Sequence, residues 1–495
     1  MCGIIAIVRQ RSRREAPSSA EVLALLEGVP GLLATAIAEA SGTADSSGLA
    51  MAVSGVAERV SAADLLLRGV PGVRALLADR ALPASLDGLC DEGVARVADI
   101  EHLIDRDGGS WKAGTIEAVN AALIELRDAL WALQRDRLRA ARAVGDLAGP
   151  DAGPAAIEAF MSVQQALSGI DRLEVRGRDS AGVHLLVRDH GLDLRAASIA
   201  ALLEGRDHDP LFSSSSVRVG KDDVLSFVYK AAAEIGELGD NTMAMRATIR
   251  NDALLHRVLA SPASQAVVLG HTRWASVGII SQPNAHPLNS DETDRTDGPY
   301  VVGALNGDID NFADLKAAES LHLATDITTD AKVIPTLVSR RLAEGDGLVE
   351  AFRRSASVFD GSVAIGVATA EAPDRLALAL RGSGQALYVG LAEDAFVVAS
   401  EPYGLVEETL DYVRLDGETP ANPANPTASR GQIMILTTEG AGTVAGIERL
   451  AYDGTPLPVS TDDVVTAEIT TRDIDRGHYA HFLLKEISEA PSSFR

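Results

Sequence analysis

Cysteine is scarce in this chain: Cys2 and Cys90 are the only two in 495 residues. Two thiols cannot build a disulfide framework, and the count fits a reducing, cytoplasmic compartment. Aromatic residues are sparse as well, at 4%, so the core has to be built from Leu, Val, Ile and Ala. Positive charge is in short supply, with 45 Lys and Arg against 70 Asp and Glu and a formal net charge of -25. That balance argues against nucleic acid or an anionic membrane as a partner through bulk electrostatics and leaves room only for a local cationic pocket. No run reaches the ~18 uninterrupted apolar residues of a membrane span. The opening MCGIIAIV stops at Arg9, too short for a signal-peptide core and without a basic leader, and position 2 is not the Gly that myristoylation needs. The sequence reads as a soluble, cytoplasmic protein, compatible with a homo-oligomer.

The length suffices for one large domain with insertions or for two or three ordinary ones. Residues 3 to 8, GIIAIV, have the short β-branched texture of a buried strand. After Arg9 the chain turns rich in Ala, Leu, Arg and Asp. Helical spacing of apolar residues runs through Ser19–Glu39, Ala62–Leu77 and Ile116–Ala143, with Gly and Pro breaks between. A helix over Ala155–Leu167 leads into the loop RGRDSAG and the strand VHLLV. The segment from Gly205 to Ser264 reads as an insertion with a helix around Thr242–Leu259. From Ala266 onward short strands dominate: AVVLG, YVVGAL, SVAIGVA, LALAL, ALYVG, AFVVAS and QIMIL, interrupted by helices at Phe312–Leu321 and Ala331–Ala343. Strands and helices without regular βαβ alternation imply an α+β layered sheet fold.

Cys2 is small enough for Met1 to be removed, which would leave an α-amine beside the thiol. Such an amine has a reference pKa of ~7.7–8.0 and is partly neutral near pH 7. One residue can then supply nucleophile and base together; the bland alternative is a small residue opening a buried strand. Arg273 and Trp274 leave the end of the strand AVVLG. A guanidinium there can hold a carboxylate bidentately while the indole excludes water, or the two can be an ion-pair residue and a core filler. Asn306-Gly307 ends the strand YVVGAL and offers either a tight turn or an oxyanion hole. Asp330 stands where a helix should start, as an N-cap or as a partner for a substrate ammonium.

Together these pieces resemble the class II glutamine amidotransferases, the N-terminal-nucleophile type, and in particular the glutaminase half of glucosamine-6-phosphate synthase. The likeness rests on MCGIIAIV, RGRDSAG, GHTRWASVG followed by NAHP, LNGDIDNFADLK, TTDAKVI, RGSGQALYVG with VVASEP, and the tail HFLLKEISEAP, all in the family's order. It implies a four-layer αββα sandwich. The amidotransferase domain would comprise 2–11 and 155–480, with a second insertion about 205–264, a helical insertion over 12–154, and at 481–495 the start of a linker to a sugar-phosphate isomerase half. It implies Cys2 as nucleophile, Asn306 and Gly307 as oxyanion hole, Arg273 on the glutamine α-carboxylate, and Asp330 on its α-amino group. Trp274 and Ser276 would line and close the glutamine pocket, Arg176 would support it near the nucleophile, and His286 would have a structural role. The substrate implied is L-glutamine, with fructose 6-phosphate engaged only through an isomerase half or partner chain. Neither metal nor cofactor is called for.

The chain departs from the family in three places. Cys2 and Arg176 stand 174 positions apart, where the family has roughly two dozen, so 12–154 must be carried as a surface insertion. The loop reads Ser276-Val277 where the family has Thr-His, which keeps a hydroxyl and loses an imidazole. The chain ends at KEISEAPSSFR, where the family's linker passes into the isomerase half. A longer protein is the expectation; a stand-alone glutamine amidohydrolase is the alternative. The Thr-Arg-Trp-Ala loop and the Lys-Glu-Ile tail argue against amidophosphoribosyltransferase and asparagine synthetase. A catalytically dead scaffold on the same fold is the non-enzyme alternative, and the retention of Cys2, Arg273, Asn306, Gly307 and Asp330 counts against it.

Overall fold

Seven consecutive buried residues directly behind Cys2 form β1 (Gly3–Arg9), and their alternation explains the layers on either side of them. In the computed structural model, Ile4, Ala6 and Val8 face a core shared with a second sheet. Ile5, on the other face, packs at the helix Pro154–Leu173. The structure describes residues 2–43, 46–112, 114–232, 237–477 and 479–493. Met1, whose removal the sequence calls for, and the last two residues of the expected linker lie outside them.

The remaining strands are β2 (Ser180–Arg188), β3 (Val217–Val219), β4 (Leu225–Ala232), β5 (Gln265–Arg273), β6 (Leu288–Asn289), β7 (Val301–Gly307), β8 (Val363–Thr369) and β9 (Arg375–Arg381). They are followed by β10 (Tyr388–Leu391), β11 (Ala395–Ala399), β12 (Asp411–Arg414), β13 (Gln432–Thr437), β14 (Ile447–Ala451) and β15 (Val464–Thr466). Among the described residues they make a nine-stranded sheet, β15-β12-β10-β11-β1-β5-β2-β4-β3, and a six-stranded sheet, β14-β13-β9-β8-β7-β6. Neighbouring strands in both run antiparallel. The inner core joins Ile4, Leu269 and Val398 of the first sheet to Ala304, Leu378 and Met434 of the second. A second core packs the far face of the smaller sheet, through Val301, Ile365 and Ile433, against Ile334, Leu337 and Phe352 of the helices Val333–Ala343 and Leu348–Ser357. Helix, sheet, sheet, helix: the fold is α+β with four layers. Each fully buried Leu, Ile or Phe contributes roughly 1.5–3 kcal/mol.

Contacts divide the chain into two compact units, Met1–Ser12 with Val144–Glu468, and Arg13–Ala143 with Ile469–Arg495. The first holds both sheets. The segment 205–264, expected as an insertion, supplies β3 and β4 to the larger sheet, with β4 paired along its whole length to β2. Its strand LSFVYKAA escapes sequence reading because Ser226 and Lys230 interrupt the apolar pattern although both are buried.

The second unit is helical. The expected helix over Ser19–Glu39 is two, Ser19–Leu26 and Val29–Ala40, separated at Gly28, whose φ of 74° ends one helix before Pro30 opens the next. Averaged over both, Ser19–Ala40 is long and apolar enough to cross a membrane, but it carries Glu21, Glu27 and Glu39 and is broken in the middle. The stretch Ala62–Leu77 is likewise split between the helices Ser47–Leu66 and Gly69–Ala78, because Pro71 lacks an N–H and belongs in a first turn. The long run after Ile116 is a helix, Thr115–Trp131, that widens into a π-helical stretch, Ala132–Leu138, before Arg139–Ala148. The helices Ser47–Leu66 and Thr115–Trp131 pack on each other, and Val53, Val56 and Val60 of the first and Val119, Leu123 and Leu126 of the second are buried. Inside the unit the Arg137 guanidinium donates to the Asp64 carboxylate at 3.0 Å, both nearly fully buried.

Candidate active site

β1 lies between β11 and β5, with Gly3 opposite Thr272, so the residue before β1 emerges beside the residues that follow β5. Cys2 therefore meets Trp274. The Trp274 N–H donates to Cys2 Sγ at 3.3 Å, and the thiol lies 3.4 Å from the Trp274 carbonyl oxygen that accepts from it. Burial pushes the Cys2 thiol up; the Trp274 N–H and the Arg273 guanidinium pull it back only in part. At rest the sulfur is a neutral thiol in need of a base.

Arg273 ends β5 and is buried. Its guanidinium donates to the Ile279 carbonyl at 3.1 Å and to the Val277 carbonyl, so it anchors the loop 274–279. Burial draws it below its ordinary pKa, opposed by the nearby Cys2, Asp330 and Asp179. Gly278, at φ 84°, lets this loop lie on Thr328 and Thr329, where a Cβ would come within 2.8 Å of the Thr328 hydroxyl. Ser276 Oγ donates to Asp308 Oδ1 at 2.7 Å, and the Ala275 N–H to Asp179 Oδ2 at 2.8 Å. The Trp274 side chain is 58% exposed, so in this conformation it shields nothing.

Asn306 and Gly307 do not form a two-residue hairpin turn. Both remain in β7, paired with Ala364 and Val363 of β8. Gly307 has φ 90°, and a Cβ there would lie 1.9 Å from the Ser362 carbonyl oxygen, which only glycine permits. Asn306 Nδ2 donates to Ser400 Oγ at 2.8 Å, leaving its second amide hydrogen for another acceptor. The same Ser400 hydroxyl accepts from the Ile4 N–H at 2.6 Å. Two hydrogen bonds thus tie the start of β1 to the Asn306 amide. On its other side Asn306 Oδ1 lies 3.1 Å from His271 Nε2, which also meets the Leu305 carbonyl at 2.8 Å. Two acceptors at Nε2 require the proton there, and burial holds His271 neutral, at about 3. Neither Ser400 nor His271 was given a role from sequence, although both stand inside quoted motifs.

Asp330 is not a helix N-cap. It lies in a 3-10 turn, Asp330–Lys332, with Thr329 in the cap position. Its Oδ2 accepts from the Ile309 N–H at 2.7 Å, while burial, with Asp308 close by, raises its pKa. His286 is buried, its ring 4.4 Å from that of His271, with Nδ1 accepting from the Leu305 N–H at 3.4 Å and Nε2 meeting Thr329 Oγ1 at 3.3 Å. Arg176 pairs with Glu401, the neighbour of Ser400. The sequence-selected residues thus gather around the ends of β1, β5 and β7 in one unit.

Two positions before Arg176, Glu174 is buried at the end of Pro154–Leu173. One oxygen accepts from the Gly239 N–H at 2.6 Å, and among the described residues the other has no partner. Burial, reinforced by Asp171 and Asp240, raises its pKa to about 7. A carboxyl raised on folding binds more protons in the native state, so its charge costs stability as pH climbs from the ordinary value through about 7. Glu174→Gln keeps an acceptor for Gly239 and removes that cost. It should stabilise the protein by roughly 2–3 kcal/mol at about pH 8 and by nothing below about pH 4.5. Urea melts at the two pH values measure this; an equal gain at both would show that the carboxyl does not titrate there.

No family model matches the chain. In sequence it is similar to glutamine–fructose-6-phosphate aminotransferases (isomerizing), which bears out the likeness read from the motifs. That of Bacillus cereus is 32% identical over 244 residues, 49% of this chain and 36% of the relative. That of Geobacillus kaustophilus is 28% identical over 329 residues, 66% of this chain and 41% of the relative. The chain spans well under half the length of these relatives. Among solved structures, glutamine phosphoribosylpyrophosphate amidotransferase from B. subtilis aligns at a TM-score of 0.36 and 18% identity, over 59% of this chain and 47% of that one.

Proposed function

We propose that this chain is the glutaminase part of a glutamine–fructose-6-phosphate aminotransferase. Cys2, exposed as the first residue by loss of Met1, attacks the side-chain amide of L-glutamine. Its α-amine takes the thiol proton as the C–S bond forms. The tetrahedral oxyanion rests on the second Asn306 amide hydrogen and the Gly307 N–H, and the proton passes to the leaving nitrogen as the C–N bond breaks. Water then hydrolyses the γ-glutamyl thioester, so glutamine and water become glutamate and ammonia. Arg273 takes the α-carboxylate and Asp330 the α-ammonium, whose charge would favour the ionised carboxylate. Trp274, Ser276 and Arg176 border the pocket. Ammonia would pass to fructose 6-phosphate in a sugar-phosphate isomerase half or partner chain.

The observation that supports this reading is the link from Ile4 through Ser400 to Asn306, two hydrogen bonds that tie the start of β1, two residues after Cys2, to the Asn306 amide. The test is direct. With mass spectrometry establishing Cys2 as the amino terminus, L-glutamine should yield equimolar glutamate and ammonia. No glutamate from correctly processed protein would overturn the reading and favour a scaffold.

A further inference from the structure

In a chain with 70 acidic against 45 basic residues, the segment ALQRDRLRAARA reverses the balance, with Arg135, Arg137, Arg139 and Arg142 against Asp136 alone. The π-helical stretch Ala132–Leu138 sorts these charges. Asp136 and Arg137 turn inward, where Thr471 Oγ1 donates to Asp136 at 2.5 Å and Arg137 pairs with Asp64. Arg135, Arg139 and Arg142, spaced i, i+4 and i+7, share the outer face. With Gln134, and with Asp87 from the helix Ala81–Asp107, they line a cavity of about 240 Å³.

Three guanidiniums there meet one lining carboxylate, and the lining Gln134 donates to a second, Asp91, at 2.9 Å. Arg142 pairs with Asp87, and Arg139 with Asp475 at 3.6 Å. Both pairs are solvent-exposed and so are cheaply exchanged for a stronger acceptor. Among the described residues no carboxylate pairs with Arg135. Its guanidinium lies over the Trp131 ring, 5.5 Å from the centroid, which leaves the N–H edge for a ligand. π-helical turns are rare and recur at functional sites.

We propose that this pocket binds a small phosphate monoester. A phosphate presents three oxygens to guanidinium forks and would replace Asp87 on Arg142 and Asp475 on Arg139 while reaching Arg135, whereas one carboxylate would satisfy one arginine. The cavity holds a phosphate with a small organic part. A polyanion such as nucleic acid would meet the repulsion of the chain's net charge of -25. The site lies in the helical unit and does not depend on the glutaminase reading.

The test is calorimetric titration of the full chain at fixed ionic strength with glucose 6-phosphate, with glucose as the uncharged control and with inorganic phosphate. Glucose 6-phosphate should bind saturably and glucose should not. Arg135→Gln, at an exposed position, should keep the wild-type melting temperature and weaken binding about tenfold or more, the scale of one lost charge-assisted contact. Arg96→Gln, an equal charge change on Ala81–Asp107 outside the pocket, should leave binding unchanged. Absence of saturable glucose 6-phosphate binding, binding of inorganic phosphate alone, or equal losses in the two variants would each overturn the proposal.

Discussion

Cys2→Ala is expected to lower the rate of glutamine hydrolysis by about 10⁴–10⁶-fold, the scale of losing a nucleophile that acts as one unit with its base. The protein should keep its melting temperature, because Cys2 is only partly buried and its sulfur touches the Trp274 backbone rather than the core. No second thiol can take over. Cys90 is buried in the helical unit, and burial together with Asp87 and Asp91 pushes its thiol up to about 12. It is inert at neutral pH. Glutamate release, followed by a coupled assay under substrate saturation, measures the effect. Retention of more than a trace of activity would remove Cys2 from the chemistry and leave the glutaminase reading without a nucleophile.

Asn306→Ala should lower kcat by about 10²–10³-fold with little change in KM, since an oxyanion donor acts only as charge develops in the transition state. The substitution has a structural side as well. It takes away the amide between His271 Nε2 and Ser400 Oγ, both buried. His271 keeps the Leu305 carbonyl and Ser400 keeps the Ile4 N–H, so the network loses a link without orphaning either partner. A stability loss of about 1–2 kcal/mol should accompany the kinetic defect. Active-site titration separates the two effects. A raised KM with kcat intact would assign Asn306 to substrate binding and leave the oxyanion to other donors.

Much of the fold was legible from local pattern, for a physical reason. A strand buried on both faces, such as Gly3–Arg9, Val363–Thr369 or Ala395–Ala399, reads as a short apolar run whatever its neighbours. The helix Pro154–Leu173 announces itself by its first-turn Pro154 and its dense apolar face. Where polar residues are buried the same reasoning fails. β4 escapes because Ser226 and Lys230 break its pattern, and so do most of Ser47–Leu66 and the helix Ala81–Asp107, because Ala, Gly and Asp dilute theirs.

By itself the sequence determined the chemical types and their order along the chain: a thiol at position 2, an arginine closing a strand, an Asn-Gly pair closing another, an aspartate ahead of a helix. Residue chemistry is a local property and survives without a structure. Tertiary structure alone decided which of these groups meet and in what state. Ser400 joins Ile4, 396 positions away in the chain, to Asn306, 94 away. Burial shifts the pKa of Cys2, Glu174 and Asp330 up and that of His271 down. Those are consequences of excluding water and of closing long loops, and neither quantity is written in any single stretch of residues.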